Sequence, residues 1–179
     1  MSMRASGILM PITSLPSKYG IGCFSKEAYD FIDGLVKAHQ SYWQILPLGP
    51  TSFGDSPYQS FSTFAGNPYF IDLEELIEEG LLSKEECDEC DFGDDDRNVD
   101  YGKVYESRFG LLWSAFENFN VDTEDYKEFV KDNSEWLEDY SLYMAVKDSY
   151  EGEMWTDWDE DIKLREPEAI ERYKEELSD

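Results

Sequence analysis

A strand–helix–strand pattern in residues 8–48 constrains the fold of this chain more than any other feature. The apolar run from Ile8 to Ile12 predicts a short buried strand. After Ser25, a favoured N-cap residue, apolar side chains recur at helical spacing from Ala28 to Val36. A second apolar run, Tyr42 to Leu48, predicts the next strand. Two strands joined through a helix are parallel with a right-handed crossover, so we expect an α/β fold.

A long aromatic loop follows the second predicted strand. Residues 49–70 set rings among Gly, Ser, Asp, Gln and Asn, and these rings are Phe53, Tyr58, Phe61, Phe64 and Tyr69. Loops at the C-terminal ends of parallel strands build the active sites of such folds. A sugar offers one apolar face and a rim of hydroxyls, which suits rings beside short polar groups. Simple packing of the loop against the fold is the alternative that the residues leave open.

The charge of the chain is concentrated in its second part. Of 41 acidic and 15 basic residues, only four of each lie in residues 1–70, so the whole net charge of −26 belongs to residues 71–179. Such a surface repels phosphate backbones and anionic membranes. We therefore expect neither a nucleic-acid partner nor a membrane partner, and the charge fits a neutral substrate.

The sequence after residue 70 predicts helices and no further strand. The helix signals are capping boxes at 72–75 and 83–86, an apolar stripe over 105–119, N-caps at Thr123 and Ser134, and Pro167 in a first turn. We predict two parts. Residues 1–70 form the first βαβ part of a barrel with its aromatic substrate loop, and residues 71–179 form an acidic α-helical subdomain.

The three cysteines predict neither a metal centre nor a redox pair. Cys87 and Cys90 have a C-x-x-C spacing, but zinc would need further ligands and His39 is the only histidine. The flanking acids should raise the pKa of both thiols, which disfavours redox chemistry. The odd count, with Cys23, and the lack of a signal peptide predict a cytoplasmic protein. We expect no cofactor and no metal.

Two requirements for glycoside chemistry in a barrel are not met within this chain. A retaining mechanism needs two carboxylates ~5–5.5 Å apart, and Asp55 is the only acid on a probable site loop. A (β/α)₈ barrel needs roughly 250 residues, whereas the chain has 179. If residues 1–70, with their two parallel strands, begin a barrel, that barrel is incomplete within this chain, and one carboxylate cannot supply both the nucleophile and the acid/base.

Three stretches of the chain carry a specific family resemblance. Residues 6–22, 42–51 and 54–73, the last opening on Gly-Asp-Ser-Pro-Tyr-Gln, resemble the N-terminal part of 4-alpha-glucanotransferases. These enzymes are also called amylomaltases or disproportionating enzymes and form glycoside hydrolase family 77. The likeness is strong over residues 4–82 and loose over the helical remainder, where the family inserts a helical subdomain into its barrel.

The resemblance implies a fold and an activity. The family has a (β/α)₈ TIM barrel with insertions and needs no cofactor. It cleaves an α-1,4 bond in a maltodextrin, holds the donor as a covalent glycosyl-enzyme and passes it to the 4-hydroxyl of another glucan. The implied partners are α-1,4-glucans, meaning maltodextrins and fragments of starch or glycogen.

The resemblance also implies a set of substrate-binding residues. Tyr58 is expected to stack on the sugar at the reacting centre, and Ser56 to hydrogen-bond nearby glucan. Phe53 stands where the family often has Tyr, so it keeps the stacking face and lacks the hydroxyl. Asp55 and Gln59, from the same loop, complete the set. The family's nucleophilic Asp, acid/base Glu and stabilising Asp lie on later strands, so this chain alone is predicted to be inactive.

Two other functions fit the same residues. The chain could be a stand-alone α-glucan-binding module that uses the aromatic loop without catalysis. It could also be an acidic helical interaction domain with a vestigial barrel start.

Overall fold

A computed structural model of the chain describes residues 4–52, 54–95 and 97–178. Packing divides the chain into two compact units, Met1–Phe119 and Asn120–Asp179. The boundary predicted at residue 70 came from charge and element type rather than from packing. That boundary remains a prediction. Helices after residue 70 share a core with Tyr19, which lies before it.

The first unit begins with a parallel pair of strands. Strands β1 (Gly7–Leu9) and β2 (Tyr42–Gln44) pair in register, with Ile8 opposite Trp43. Helix α1 (Lys26–Lys37) connects them, so the predicted strand–helix–strand order is confirmed. Both strands are shorter than predicted. Prolines at 11 and 47, which cannot donate a backbone hydrogen bond, follow them closely.

The prediction that the first strand is buried was wrong. Ile8 is 40% exposed and Leu9 is 57% exposed. Trp43 and Ile45 pack with Ile12 and Ala28 in one apolar cluster. A two-stranded sheet with a single helix packed against it leaves apolar side chains uncovered, which accounts for the difference.

Three helices complete the first unit: α2 (Leu73–Glu78), α3 (Lys84–Glu89) and α4 (Tyr101–Asn118). Their core joins Leu73, Cys87 and Leu111 to Tyr19 from the loop after β1. The predicted capping box of α3 is confirmed by its two backbone hydrogen bonds. Glu86 N donates to Ser83 Oγ at 3.2 Å, and Ser83 N donates to Glu86 Oε2 at 2.9 Å.

The second unit consists of helices α5 (Glu124–Asp132), α6 (Ser134–Ser149), α7 (Glu160–Lys163) and α8 (Pro167–Glu176). Thr123 caps α5 as predicted, since its Oγ1 accepts from Tyr126 N at 3.4 Å. The N-cap of α6 is Asn133 rather than the predicted Ser134. The core of this unit contains Val146, Trp158, Ile162, Ala169 and Tyr173. No helix in the described ranges is long and apolar enough to cross a membrane.

Candidate functional site

Hydrogen bonds hold both ends of the aromatic loop. Near its end, Asn67 N donates to Leu48 O at 2.9 Å, which brings the loop back to the segment that follows β2. The Asn67 side chain is buried, and its Oδ1 accepts from Tyr69 N at 3.0 Å. Phe24 N, just before α1, donates to Phe70 O at 3.2 Å. The loop therefore leaves and rejoins the framework at fixed points.

Two tight turns shape the tip of the loop. Asp55 N donates to Ser52 O and Gln59 N donates to Ser56 O, both at 3.0 Å. Gly54 and Asp55 have φ angles of +94° and +53°. Asp is one of the few non-glycine residues that adopt the left-handed region readily. Asp55 thus ends one tight turn immediately before the segment that carries Tyr58.

The tip presents the predicted substrate residues in different environments. Tyr58 is 73% exposed, and Gln59 is also exposed. Asp55 and Ser56 are half-buried. Phe53 lies outside the described residues. Four of the five predicted residues therefore share one loop tip that follows the C-terminal end of β2.

A small cavity of about 30 Å³ adjoins the loop. Its walls come from the segments after β1 and β2, the loop, and the start of α4, and the lining residues include Thr13, Leu48, Asp55, Asn67, Tyr69 and Tyr101. Burial raises the pKa of Tyr69 to about 12, with a further contribution from the Asp55 carboxylate. Burial raises the pKa of Tyr101 as well, again with help from Asp55. Asp55, Tyr69 and Tyr101 therefore share the wall of one cavity, and the Asp55 charge acts on both phenols.

The sequence interpretation missed Tyr101 and Arg108 as neighbours of the site. Tyr101 begins α4, and its ring lies 6.2 Å from that of Tyr69 between centroids. Arg108, fully buried on the same helix, donates to the carbonyls of Tyr19 and Ile71. No local pattern marks either residue, because their partners are distant in sequence.

The loop after β1 depends on one glycine conformation. Gly20 has a φ of +79°, and an added Cβ would lie 2.8 Å from Phe92 Cβ and 2.9 Å from Val104 Cγ2. A larger residue would be strained by its backbone and would also collide with two side chains. Glycine at this position lets the loop lie close against the segments before and within α4.

The three cysteines are free thiols. Cys23 and Cys87 are buried, and Cys90 is partly buried. Burial raises the pKa of Cys23 to about 11. It also raises the pKa of Cys87 and Cys90, and neighbouring acids add to the effect, which is the predicted direction. Across the described ranges no three His, Cys, Asp or Glu side chains group to hold a metal ion.

Comparison with known proteins identifies the family. The sequence profile described as 4-alpha-glucanotransferase, glycoside hydrolase family 77, matches residues 10–179. This chain belongs to the 4-alpha-glucanotransferase family. The 4-alpha-glucanotransferase of Clostridium butyricum is 53% identical over 171 residues, which cover 95% of this chain and 35% of that protein. The corresponding protein of Streptococcus pneumoniae TIGR4 is 51% identical over 182 residues, covering all of this chain and 36% of that protein.

A solved structure of the family has the same fold over the matched region. The amylomaltase from Streptococcus agalactiae, in complex with acarbose, matches with a TM-score of 0.91 and 44% sequence identity. The match covers 98% of this chain and 36% of that one. This 4-alpha-glucanotransferase family chain therefore spans about a third of the length of the relatives it matches.

Proposed function

We propose that this chain is the N-terminal segment of a 4-alpha-glucanotransferase that transfers α-1,4-glucan segments between maltodextrins. The carrying observation is the tip of the aromatic loop. There the Gly-Asp-Ser-Pro-Tyr-Gln motif, at 54–59, holds the Tyr58 ring 73% exposed after the C-terminal end of β2. Ser56 and Gln59 lie on the same turn, with Gln59 N bonded to Ser56 O. An exposed ring flanked by a hydroxyl and an amide suits one pyranose face and its hydroxyl rim.

The proposed fold of the whole protein is a (β/α)₈ barrel, of which β1, α1 and β2 are the start. Relatives nearly three times as long as this chain support this proposal, since the chain covers 35% of the Clostridium butyricum protein. The exposed side chains of Ile8 and Leu9 support it too, because further barrel elements would cover them. Helices after residue 70 then belong to an insertion in that barrel.

The proposed reaction proceeds through a covalent glycosyl-enzyme with retention of configuration. It requires a nucleophilic carboxylate and an acid/base carboxylate ~5–5.5 Å apart. Asp55 is the only acidic residue in the aromatic loop, and the cavity it lines holds only about 30 Å³. We therefore assign both catalytic carboxylates to sequence outside this chain, and we assign to this chain a share of the glucan-binding surface.

Maltotriose turnover tests the proposal. The full-length gene product should convert maltotriose into glucose and longer maltodextrins, because transfer of a maltosyl unit releases glucose. The 179-residue chain at equal concentration should release no more glucose than its Tyr58→Ala variant. Failure of the full-length gene product to form longer maltodextrins would refute the proposed activity. Turnover by the 179-residue chain would show that the chain itself contains the catalytic carboxylates, contrary to the proposal.

A stand-alone glucan-binding module is the second candidate, and the exposure of Tyr58 in this chain by itself favours it. Calorimetric titration of the 179-residue chain with acarbose, the ligand in the Streptococcus agalactiae amylomaltase structure, distinguishes the two. Tight binding that Tyr58→Ala abolishes, with an open reading frame that ends at Asp179, would favour the module. A reading frame that continues into further strands would favour the transferase.

A further inference from the structure

We propose that Asp55, Tyr69 and Tyr101 act together as positioning residues that hold the loop tip carrying Ser56 and Tyr58. These three residues are called the Asp55 cluster below. The proposal deepens the proposed function, on which it rests, by giving Asp55 a role distinct from direct glucan contact.

The geometry of the cavity brings the three side chains together. Asp55, Tyr69 and Tyr101 all line the same space of about 30 Å³. Tyr69 is only 5% exposed, and its ring lies 6.2 Å from that of Tyr101 between centroids, tilted by 54°. A carboxylate from the loop thus meets one ring from the end of the loop and another from the start of α4.

The cavity is too small to receive substrate. Ligand pockets in proteins typically enclose about 300–1,000 Å³, an order of magnitude more than this space. The described residues that line it include no Lys or Arg. The donors among its lining side chains are hydroxyls and an amide, which include Thr13, Asn67, Tyr69 and Tyr101. The Asp55 carboxylate in this position faces groups of the protein that surround the loop.

The backbone supports the same assignment. Asp55 adopts a φ of +53° directly after Gly54 at +94°, and the turn closes through Asp55 N to Ser52 O. This turn leads into Ser56 and Tyr58. A left-handed residue persists where the surrounding structure holds it. The proposal assigns that role to the Asp55 side chain, which lines the cavity together with Tyr69 and Tyr101.

The Asp55 carboxylate influences the protonation of both phenols of the cluster. Burial, assisted by the negative charge of Asp55, raises the pKa of Tyr69 to about 12 and also raises the pKa of Tyr101. Both phenols therefore keep their protons at neutral pH. The Asp55 charge acts on both phenols through space, and the Tyr101 hydroxyl also hydrogen-bonds with Thr13, another residue of the cavity wall.

Amide hydrogen exchange tests the proposal without any activity. In the full-length gene product, Asp55→Asn and Tyr101→Phe should each speed exchange at the Gln59 amide, which donates to Ser56 O, by tenfold or more. Asp33→Asn, an exposed carboxylate on α1, is the matched control and should leave this amide unchanged. Unchanged exchange at Gln59 in both cluster variants would overturn the proposal, whether or not the protein transfers glucan.

A double-mutant cycle tests how the cluster acts on transfer. With Tyr58 present, Asp55→Asn and Tyr101→Phe should lower kcat/KM for maltotriose about tenfold. In a Tyr58→Ala background the same changes should lower it by clearly less than tenfold, because Ser56 is then the only one of the two binding residues left to position. Fully additive losses would show that Asp55 acts on substrate directly and would overturn the proposal. A full-length protein with no transferase activity would instead refute the proposed function, and exchange alone would then decide the role of the cluster.

Discussion

The aromatic residues of the loop differ in their surroundings, although their sequence patterns are alike. Tyr58 is 73% exposed and Tyr69 is 5% exposed. Tyr69 also packs against Phe109, with 6.0 Å between ring centroids. One tyrosine is therefore available to stack on a sugar, and the other belongs to the framework that supports it.

Replacing Tyr58 separates stacking from hydrogen bonding. A ring desolvated against a sugar face contributes on the order of 1–3 kcal/mol. In the full-length gene product, we expect Tyr58→Ala to lower kcat/KM for maltotriose roughly tenfold or more, whereas Tyr58→Phe should keep much of the activity. Steady-state kinetics with matched thermal melts provides the measurement. Because the side chain is so exposed, the melting temperature of both variants should stay near that of the parent.

An opposite pattern would remove Tyr58 from the site. If Tyr58 only packs the loop, Tyr58→Ala would lower the melting temperature and leave kcat/KM per folded molecule nearly unchanged. Gln40→Ala, a partly buried polar residue outside the loop, serves as a control for the melts.

Among the elements, α4 is attached to the site through a buried cation. Arg108 is fully buried, and it donates to the backbone carbonyls of Tyr19 and Ile71. These carbonyls belong to the loop after β1 and to the segment that follows the aromatic loop. Burial lowers the pKa of the guanidinium, although Arg stays charged in proteins. One side chain thus joins three segments around the site.

Removal of Arg108 should strongly destabilise the first unit. Arg108→Ala leaves the carbonyls of Tyr19 and Ile71 with fewer donors and opens a cavity where the buried side chain was, so we expect a loss on the order of 3–5 kcal/mol in the free energy of unfolding. Urea unfolding of the chain, followed by circular dichroism, provides the measurement. Lys103→Ala removes an exposed ion pair with Asp91 from the same helix and should leave the midpoint close to the parent. Equal, small shifts in both variants would show that Arg108 does not hold α4.

The elements also show which features the sequence could predict. The capping box of Ser83 and Glu86 was predictable because both partners lie within one turn of helix. The N-cap of α6 was misplaced by one residue because Asn133 and Ser134 are adjacent and both suit the position. The neighbours Asp55 and Tyr101 were not predictable as a pair, because tertiary packing brings them together across two helices and a loop. Local patterns therefore predicted the helices, the strands and the aromatic loop. They did not predict which side chains from distant segments, such as Tyr101, pack beside the loop.

For the whole molecule, the order of the elements was predicted better than their burial. In the described residues, β1, α1 and β2 come first and helices α2 to α8 follow, as the sequence predicts. Packing nonetheless unites Tyr19 with Leu73 and Leu111 in one core. A single loop residue anchors that core from the first part. Apolar periodicity marks a residue as buried without saying which later helix will cover it.

The strand pair should be the weakest structured part of the isolated chain. Strands β1 and β2 are three residues each, Leu9 and Tyr42 are 57% and 67% exposed, and a two-stranded sheet is at best marginally stable. Helix α4, by contrast, contributes Val104 and Leu111 to buried clusters. We expect amides of the strands to exchange at least tenfold faster than those of α4 in the 179-residue chain, as measured by mass spectrometry.

In the full-length gene product the strand amides should slow to the rate of α4, since further barrel strands would cover their apolar side chains. Helix α4 itself serves as the internal reference. If the strand amides of the isolated chain were already as protected as those of α4, two strands would be enough for a stable sheet. Strand instability would then no longer support the proposed barrel.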